Sequence, residues 1–240
     1  VGSEMCIRDR PTVHCKWNEA PAILSGDAML TMASQLMGSG CNDKLSEVLD
    51  LFHGTAMEIY EGQQYDMDFE SRDDVTVAEY IEMIRLKTSV LLGCACRLGA
   101  LMGGADIEIQ EALYRYGISL GLAFQLQDDW LDTYGDPEVF GKNIGGDIMN
   151  DKKTFLLITA INKSDGARRE ELLSMLGSRS DDKVERVKAI YDALNVGDEC
   201  RELIERYAAD AVSELDKAGL DGDAREFFVN IAKASLTRRS

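Results

Sequence analysis

The sequence predicts an all-α protein built around one hydrophobic core. Apolar residues recur three and four positions apart through most of the chain, which is the spacing of one helix face. Only three of the 240 residues are prolines, and the alternating β-branched runs that would indicate strands are scarce. Hydrophobic residues make up 45% of the chain, which is enough to fill the interior of a single large helical domain.

Composition argues against several classes of function. The 43 acidic residues outnumber the 26 basic ones, and the net charge of −17 does not suit a nucleic-acid-binding protein. No apolar run approaches the roughly 18 residues needed to cross a bilayer, so we predict no membrane span. Only two histidines are present, which argues against a histidine-built zinc site. None of the six cysteines forms a C-x-x-C pair, which predicts reduced thiols in a cytoplasmic protein.

The beginning of the chain is the least regular part of the sequence. Residues 1–10 show no helical or strand period, and we interpret them as a non-native or wrongly joined leader without a fold. We expect the domain itself to occupy residues 11–240, with an extended entry at 11–14. Residues 19–37 are mostly apolar or small, which predicts a buried helix that ends at the glycines at positions 38 and 40.

The next predicted helix, residues 43–69, changes character along its length. Its apolar stripe consists of Leu45, Leu49, Phe52, Ala56 and Ile59. The same stripe continues into Gln63 and Asp66. This change from leucine to amide and carboxylate indicates either the mouth of a polar cavity or the point where the helix emerges into water, and the pattern alone does not separate the two.

A third helix is predicted to begin after residues 73–74 and to end near residues 103–104. Its inner stripe consists of Val77, Ile81, Ile84, Thr88, Leu91, Ala95, Leu98 and Met102. Thr88 interrupts this stripe, and Lys87 lies beside it. Such a lysine either extends along the core into water or offers its charge to a buried anion.

The most informative stretch is F-Q-L-Q-D-D-W-L-D at residues 124–132, late in a helix that begins near residue 109. At 3.6 residues per turn, one face carries Gly117, Gly121, Gln125, Asp128 and Asp132. Asp129 lies beside this face. Three neighbouring aspartates repel one another unless a cation lies between them, and Mg²⁺ prefers such oxygen ligands and shares its shell with phosphates. The alternative is a solvated acidic face, which the surrounding apolar residues argue against.

A long, glycine-rich, charged loop is predicted at residues 135–153. It brings Lys142 and Lys152 close in sequence to the aspartates, and lysine is a suitable point charge for a diphosphate. The alternative is a flexible loop in solvent. Beyond it, apolar spacing predicts further helices at residues 151–163 and 181–194, around 203–215 and around 227–231.

These motifs together resemble a trans-polyprenyl diphosphate synthase from residue 11 to the end of the chain. The specific signal is F-Q-x-x-D-D-x-x-D followed by G-K-x-x-G-x-D-I, supported by E-G-Q-Q-Y-D and L-K-T. The resemblance implies an isoprenoid-synthase helical bundle around a central cavity, a homodimer and a Mg²⁺ cofactor. It also implies a prenyltransferase that joins isopentenyl diphosphate to an allylic diphosphate, head to tail.

The resemblance assigns roles to individual residues. Asp128, Asp129 and Asp132 would hold Mg²⁺ against the allylic diphosphate, which Lys142 and Lys152 would bind. Lys87, Thr88 and Gln125 would line the reaction centre, and Gln63 and Asp66 would face the cavity.

One departure from the family pattern concerns activity. The family has a first D-D-x-x-D motif upstream of P-T-V-H, and this chain begins after that point, so we expect the 240 residues to be the C-terminal two-thirds of a synthase and inactive alone. A non-catalytic partner subunit is an alternative, although such a subunit need not keep these lysines and aspartates. A class I terpene cyclase is another, although its usual N-D-x-x-S-x-x-x-E motif is not found around Asp128.

Overall fold

The computed structural model describes residues 6–7, 10–136 and 144–237, and this part of the chain is almost entirely helical. Two short strands, β1 (Cys6–Ile7) and β2 (Arg10–Pro11), pair antiparallel at its start. The helices are α1 (Val13–Trp17), α2 (Glu19–Gly38), α3 (Leu45–Phe69), α4 (Val77–Ile84), α5 (Val90–Met102), α6 (Ile107–Tyr134), α7 (Gly146–Met149), α8 (Phe155–Lys163), α9 (Gly166–Met175), α10 (Lys183–Ala193), α11 (Val196–Lys217) and α12 (Gly222–Thr237). The predicted all-α class is confirmed.

The chain divides into two compact units, residues 1–56 and 57–240. In the first unit, the predicted helix at 19–37 forms as α2, but its predicted burial is wrong. No residue of α2 is buried, and the most exposed of its large apolar side chains is Leu36, at 72%. The expected extended entry at 11–14 is also wrong, because α1 begins at Val13, and the pairing of β1 with β2 gives part of the expected leader a local structure.

The second unit has its core around α6, which packs mainly against α5 and α11. One buried cluster joins α4, α6, α8, α10 and α11 through residues such as Tyr80, Leu126, Leu156 and Tyr191. A second cluster joins the first half of α6 to α11 and α12. The sequence pattern missed α9, whose G-A-R-R-E-E-L-L sequence carries little apolar signal. No helix in the described ranges has the length and apolarity that a membrane crossing would need.

The predicted third helix is interrupted by a π-helical turn at Arg85–Ser89, called here the π segment. A π turn holds one residue more than an α turn, so it shifts every later residue around the axis. The buried line therefore runs from Ile84 to Ser89 and then Gly93, rather than to Leu91 and Met102 as predicted. Leu91 and Met102 are instead 54% and 47% exposed.

Candidate functional site

The glycine face of α6 lets the π segment approach closely. A Cβ atom at Gly121 would lie 2.6 Å from the Cα of Ser89, so only glycine fits there without a shift of backbone. This close packing brings Thr88 to Gln125, one turn further along α6. The Thr88 hydroxyl donates a hydrogen bond to Gln125 Oε1 at 3.2 Å. The close approach at Gly121 thus positions Gln125 of α6 against Thr88.

A second glycine brings α3 to the same segment. A Cβ atom at Gly62 would lie 2.4 Å from the backbone nitrogen of Lys87. Lys87 Nζ contacts Asp66 Oδ2 at 2.6 Å, and both side chains are partly buried. Asp66 therefore faces a basic group of the protein rather than emerging into water, and Gln63 is partly buried one turn earlier.

Asp129 is the most deeply buried of the predicted aspartates, with 3% of its surface exposed. Tyr80 donates a hydrogen bond to its Oδ2 at 2.6 Å, and Gln125 Nε2 donates to its Oδ1 at 3.1 Å. Burial and the neighbouring Asp129 charge raise the pKa of Tyr80 well above its usual value, so its hydroxyl stays a donor. A carboxylate this buried depends on such donors.

Asp132 is partly buried and is tied to the chain after the predicted loop. Its Oδ2 accepts a hydrogen bond from the Asp147 backbone nitrogen at 2.9 Å, and its carbonyl oxygen accepts one from Gly145 at 2.7 Å. Burial raises the pKa of Asp132 in spite of the Asp147 hydrogen bond. Burial and the charge of Asp129 raise the pKa of Asp147 to about 7. The site therefore concentrates more negative charge than its own surroundings stabilise.

Lys152 supplies the balancing positive charge. Its Nζ lies 3.4 Å from Asp147 Oδ1 and 3.7 Å from Asp129 Oδ1. Burial alone would lower the pKa of Lys152, but the carboxylates of Asp129, Asp147 and Asp66 raise it, so the ammonium stays charged. Its side chain is still 38% exposed, which leaves donor capacity for an anionic ligand.

The structure brings together Thr88, Gln125, Asp129 and Lys152 of the predicted site and pairs Lys87 with Asp66. Asp128 is partly buried. Lys142 lies outside the described residues. Among the residues the structure describes, no three His, Cys, Asp or Glu side chains are arranged to hold a metal ion by themselves.

Two residues of the site were not predicted from the sequence. Tyr80 was missed because it lies beside the predicted inner stripe of its helix. A tyrosine within an apolar segment needs a hydrogen-bond partner, and that requirement was the available signal. Asp147 belongs to the quoted G-x-D-I motif but received no role, because its contacts with Asp132 and Lys152 depend on the path of the chain through the loop.

Comparison with known proteins identifies the family. The sequence profile of polyprenyl synthetases matches residues 6–194. The chain belongs to the polyprenyl synthetase family. Two relatives illustrate how much of their length this chain matches. A geranylgeranyl diphosphate synthase of Methanosarcina mazei is 45% identical over 158 residues, which are 65% of this chain and 49% of that protein. A short chain isoprenyl diphosphate synthase of Methanothermobacter thermautotrophicus is 36% identical over 232 residues, which are 96% of this chain and 71% of that protein.

Solved structures agree with this assignment. A crystal structure of a geranylgeranyl pyrophosphate synthase superposes with a TM-score of 0.91 at 40% identity, covering 98% of this chain and 74% of that one. The geranylgeranyl pyrophosphate synthetase of Pyrococcus horikoshii gives a TM-score of 0.90 at 28% identity, covering 98% and 72%. The family indicated by the sequence motifs is confirmed, and the chain spans between 49% and 74% of the length of these four proteins.

Proposed function

We propose that this chain carries the allylic-diphosphate half of a prenyltransferase site, which joins isopentenyl diphosphate to an allylic diphosphate, head to tail. The observation that carries the proposal is the placement of Lys152. Its partly exposed ammonium lies beside Asp129, which is linked through Gln125 to Thr88. A diphosphate bound by Lys152 would therefore lie near groups suited to its ionisation. The related proteins are named as synthases of isoprenyl diphosphates, which supports a diphosphate as the ligand of this site.

The residues that would hold Mg²⁺ are Asp128, Asp129 and Asp132. Asp128 and Asp132 are partly exposed, whereas Asp129 is buried and each of its oxygens already accepts a hydrogen bond, from Tyr80 or from Gln125. When bound, the cation would neutralise diphosphate oxygens and so favour departure of the leaving group. The raised pKa values of Asp132 and Asp147 fit such a role, because carboxylates crowded in one place gain most from added positive charge.

The remaining residues would bind and orient the substrate. Lys152, together with Lys142 from the predicted loop, would hold the diphosphate by charge. The Thr88 hydroxyl and the Gln125 amide would direct their dipoles at the carbocation formed when the allylic bond breaks. Lys87 is held by Asp66, which fixes its ammonium beside the π segment, and Gln63 would extend this polar wall.

A homodimer remains part of the proposal. The supporting observation is that five large apolar side chains of α2 are each more than half exposed: Ile23, Leu24, Met29, Met32 and Leu36. Exposed apolar side chains in such number on one helix suit an interface. Light scattering of the purified chain at two concentrations would test it, and a monomer at both would contradict it.

The test of the proposed function measures binding, because the chain contains a single D-D-x-x-D motif. Lys152→Ala should weaken binding of an allylic diphosphate in the presence of Mg²⁺ about tenfold or more in calorimetry, since one charge-assisted contact is lost. Binding of isopentenyl diphosphate should change less. Lys163→Ala is the matched control, because Lys163 pairs with Glu199 on the surface of another helix. Equal losses for both substrates, or no loss for either, would contradict the assignment.

A further inference from the structure

The turn that follows α7 places Lys152 in the site. The Asp151 backbone nitrogen donates to the Ile148 carbonyl at 3.2 Å, and the Lys152 nitrogen donates to the Asp147 carbonyl at 3.0 Å. These two bonds form a Schellman motif, in which the first residue after the cap takes a left-handed conformation. That residue is Asp151, with φ of 53°, where glycine is usual. The turn reverses the chain and returns Lys152 towards Asp147.

The Asp151 side chain fastens this turn to the protein interior. Its Oδ1 lies 2.7 Å from Lys183 Nζ, and its Oδ2 accepts a hydrogen bond from the Gly177 nitrogen at 2.8 Å. Lys183 is 1% exposed. Its ammonium also donates to the Ser178 carbonyl at 3.1 Å and the Met149 carbonyl at 3.4 Å. All three ammonium protons thus have acceptors, which is what a buried lysine requires.

Two of the contacts of Lys183 lie in the turn immediately before Lys152. Met149 ends α7 and Asp151 directly precedes Lys152, so one buried ammonium holds the backbone just before the site lysine. A small cavity, with room for about one water, has Asp147, Lys152, Lys183 and Tyr191 among its lining residues. The turn is thus held by the polar contacts of Lys183 as well as by the packing of buried Ile148.

We propose that Lys183 is a positioning residue for diphosphate binding, which holds the turn at residues 149–151 so that Lys152 and Asp147 lie beside Asp129. This inference rests on the proposed function. Lys183 itself is buried and does not touch the ligand. It acts through the backbone of the turn, so its loss moves the site lysine without removing any charge from the site.

The first measurement tests the positioning without any ligand. The variant is Lys183→Met combined with Asp151→Asn, which removes both charges of the pair together and leaves neither uncompensated. Asparagine also tolerates the left-handed conformation at position 151. Hydrogen exchange followed by mass spectrometry should become about tenfold faster in residues 147–154 relative to residues 113–123 of α6. Unchanged relative exchange would overturn the inference.

The second measurement tests the link to binding, with magnesium pyrophosphate as the probe. The double variant should weaken its affinity about fivefold or more, but should add less than about twofold once Lys152→Ala is present, because both changes act on one contact. A purely structural role would give the same factor in both backgrounds and would overturn the inference. Lys163→Met, which removes a surface pair elsewhere, should leave the affinity unchanged.

The two measurements separate the inference from the proposed function. If Lys152→Ala binds pyrophosphate as the original chain does, the proposed function fails, and the exchange result alone decides whether Lys183 holds the turn. If Lys152→Ala weakens binding and the double variant does not, the proposed function stands and the role of Lys183 is wrong. Lys183→Arg alone, which keeps the charge, should weaken pyrophosphate binding less than the double variant does, and an equal loss would overturn the inference.

Discussion

Two lysines contact carboxylates of the same short segment, residues 147–151, in very different surroundings. Lys183 is 1% exposed, lies 2.7 Å from Asp151 and has two carbonyl acceptors besides. Lys152 is 38% exposed and lies 3.4 Å and 3.7 Å from Asp147 and Asp129. The first ammonium has an acceptor for each of its three protons, at 2.7 Å, 3.1 Å and 3.4 Å. The second has no carboxylate nearer than 3.4 Å and is partly exposed, so the oxygens of a ligand can replace its contacts.

The difference shows that the two lysines around this segment serve different purposes: the ion pair of Lys183 is fixed, whereas the contacts of Lys152 can be exchanged for those of a ligand. A buried pair is costly to break, since removing one partner leaves an uncompensated charge in the interior. A partly exposed pair with long contacts is screened by water and loses little when it is broken. The structural lysine therefore fixes the backbone, while the neighbouring lysine keeps its charge available to an anion.

The largest expected effect tests this contrast directly. Lys183→Met should lower the free energy of unfolding by about 3 kcal/mol, because Asp151, which is only 22% exposed, loses its counter-charge. Lys152→Met should lower it less, by about 1 kcal/mol, because Lys152 is itself 38% exposed and Asp129 keeps its hydrogen bonds from Tyr80 and Gln125. Urea unfolding of the ligand-free chain compares them. Similar losses for the two variants would remove the distinction between a fixed and an exchangeable lysine.

A second prediction asks what holds the carboxylate beside Lys152. Tyr80→Phe should lower the free energy of unfolding by about 1–3 kcal/mol, because Asp129 loses a donor in a buried position. Tyr60→Phe is the matched control, since Tyr60 is 48% exposed, and should change stability by less than about 0.5 kcal/mol. A loss in Tyr80→Phe no greater than in the control would mean that Lys152 and Gln125 suffice to hold Asp129.

The smallest expected effect concerns pH. The pKa of Asp147 is raised from its ordinary 3.8 to about 7, so its folded state binds a proton more tightly than the unfolded chain does. Its contribution to stability is therefore present at low pH and is lost as pH rises from 3.8 through about 7. Asp147→Asn should remove that loss, so that the stability of the ligand-free chain no longer falls between pH about 5 and pH about 8.

The control for this prediction changes an exposed carboxylate outside the site. Asp73→Asn alters an exposed carboxylate 3.8 Å from Lys153 and should leave the pH dependence as it was. Unfolding curves of the three proteins at pH about 5 and about 8 provide the comparison. An Asp147→Asn chain that keeps the original pH dependence would show that other carboxylates, such as Asp132, cause it.

Local periodicity explains which parts of the fold were predictable. The long helices α3 and α6 follow from apolar spacing, and the D-D-x-x-D motif follows from residues that one helix holds together. Contacts such as Thr88 with Gln125 were implied only by the family resemblance. The burial of α2 and the inner line of α5 were predicted wrongly. The first depends on what packs against a helix that is apolar on several sides, and the second on a π turn that inserts one residue.

The sequence by itself determined the helical class, the family and most of the residues proposed for the site, because these depend on short spacings along one helix or on motifs read in order. Only the tertiary structure decided which charges are fixed. Tyr80 meets Asp129 across 49 residues of sequence, and Lys183 meets Asp151 across 32. No local pattern relates positions so far apart, because their contact depends on how separate helices pack. Burial of Lys183 keeps its ion pair with Asp151 intact. The partial exposure of Lys152 leaves its ammonium available to a ligand.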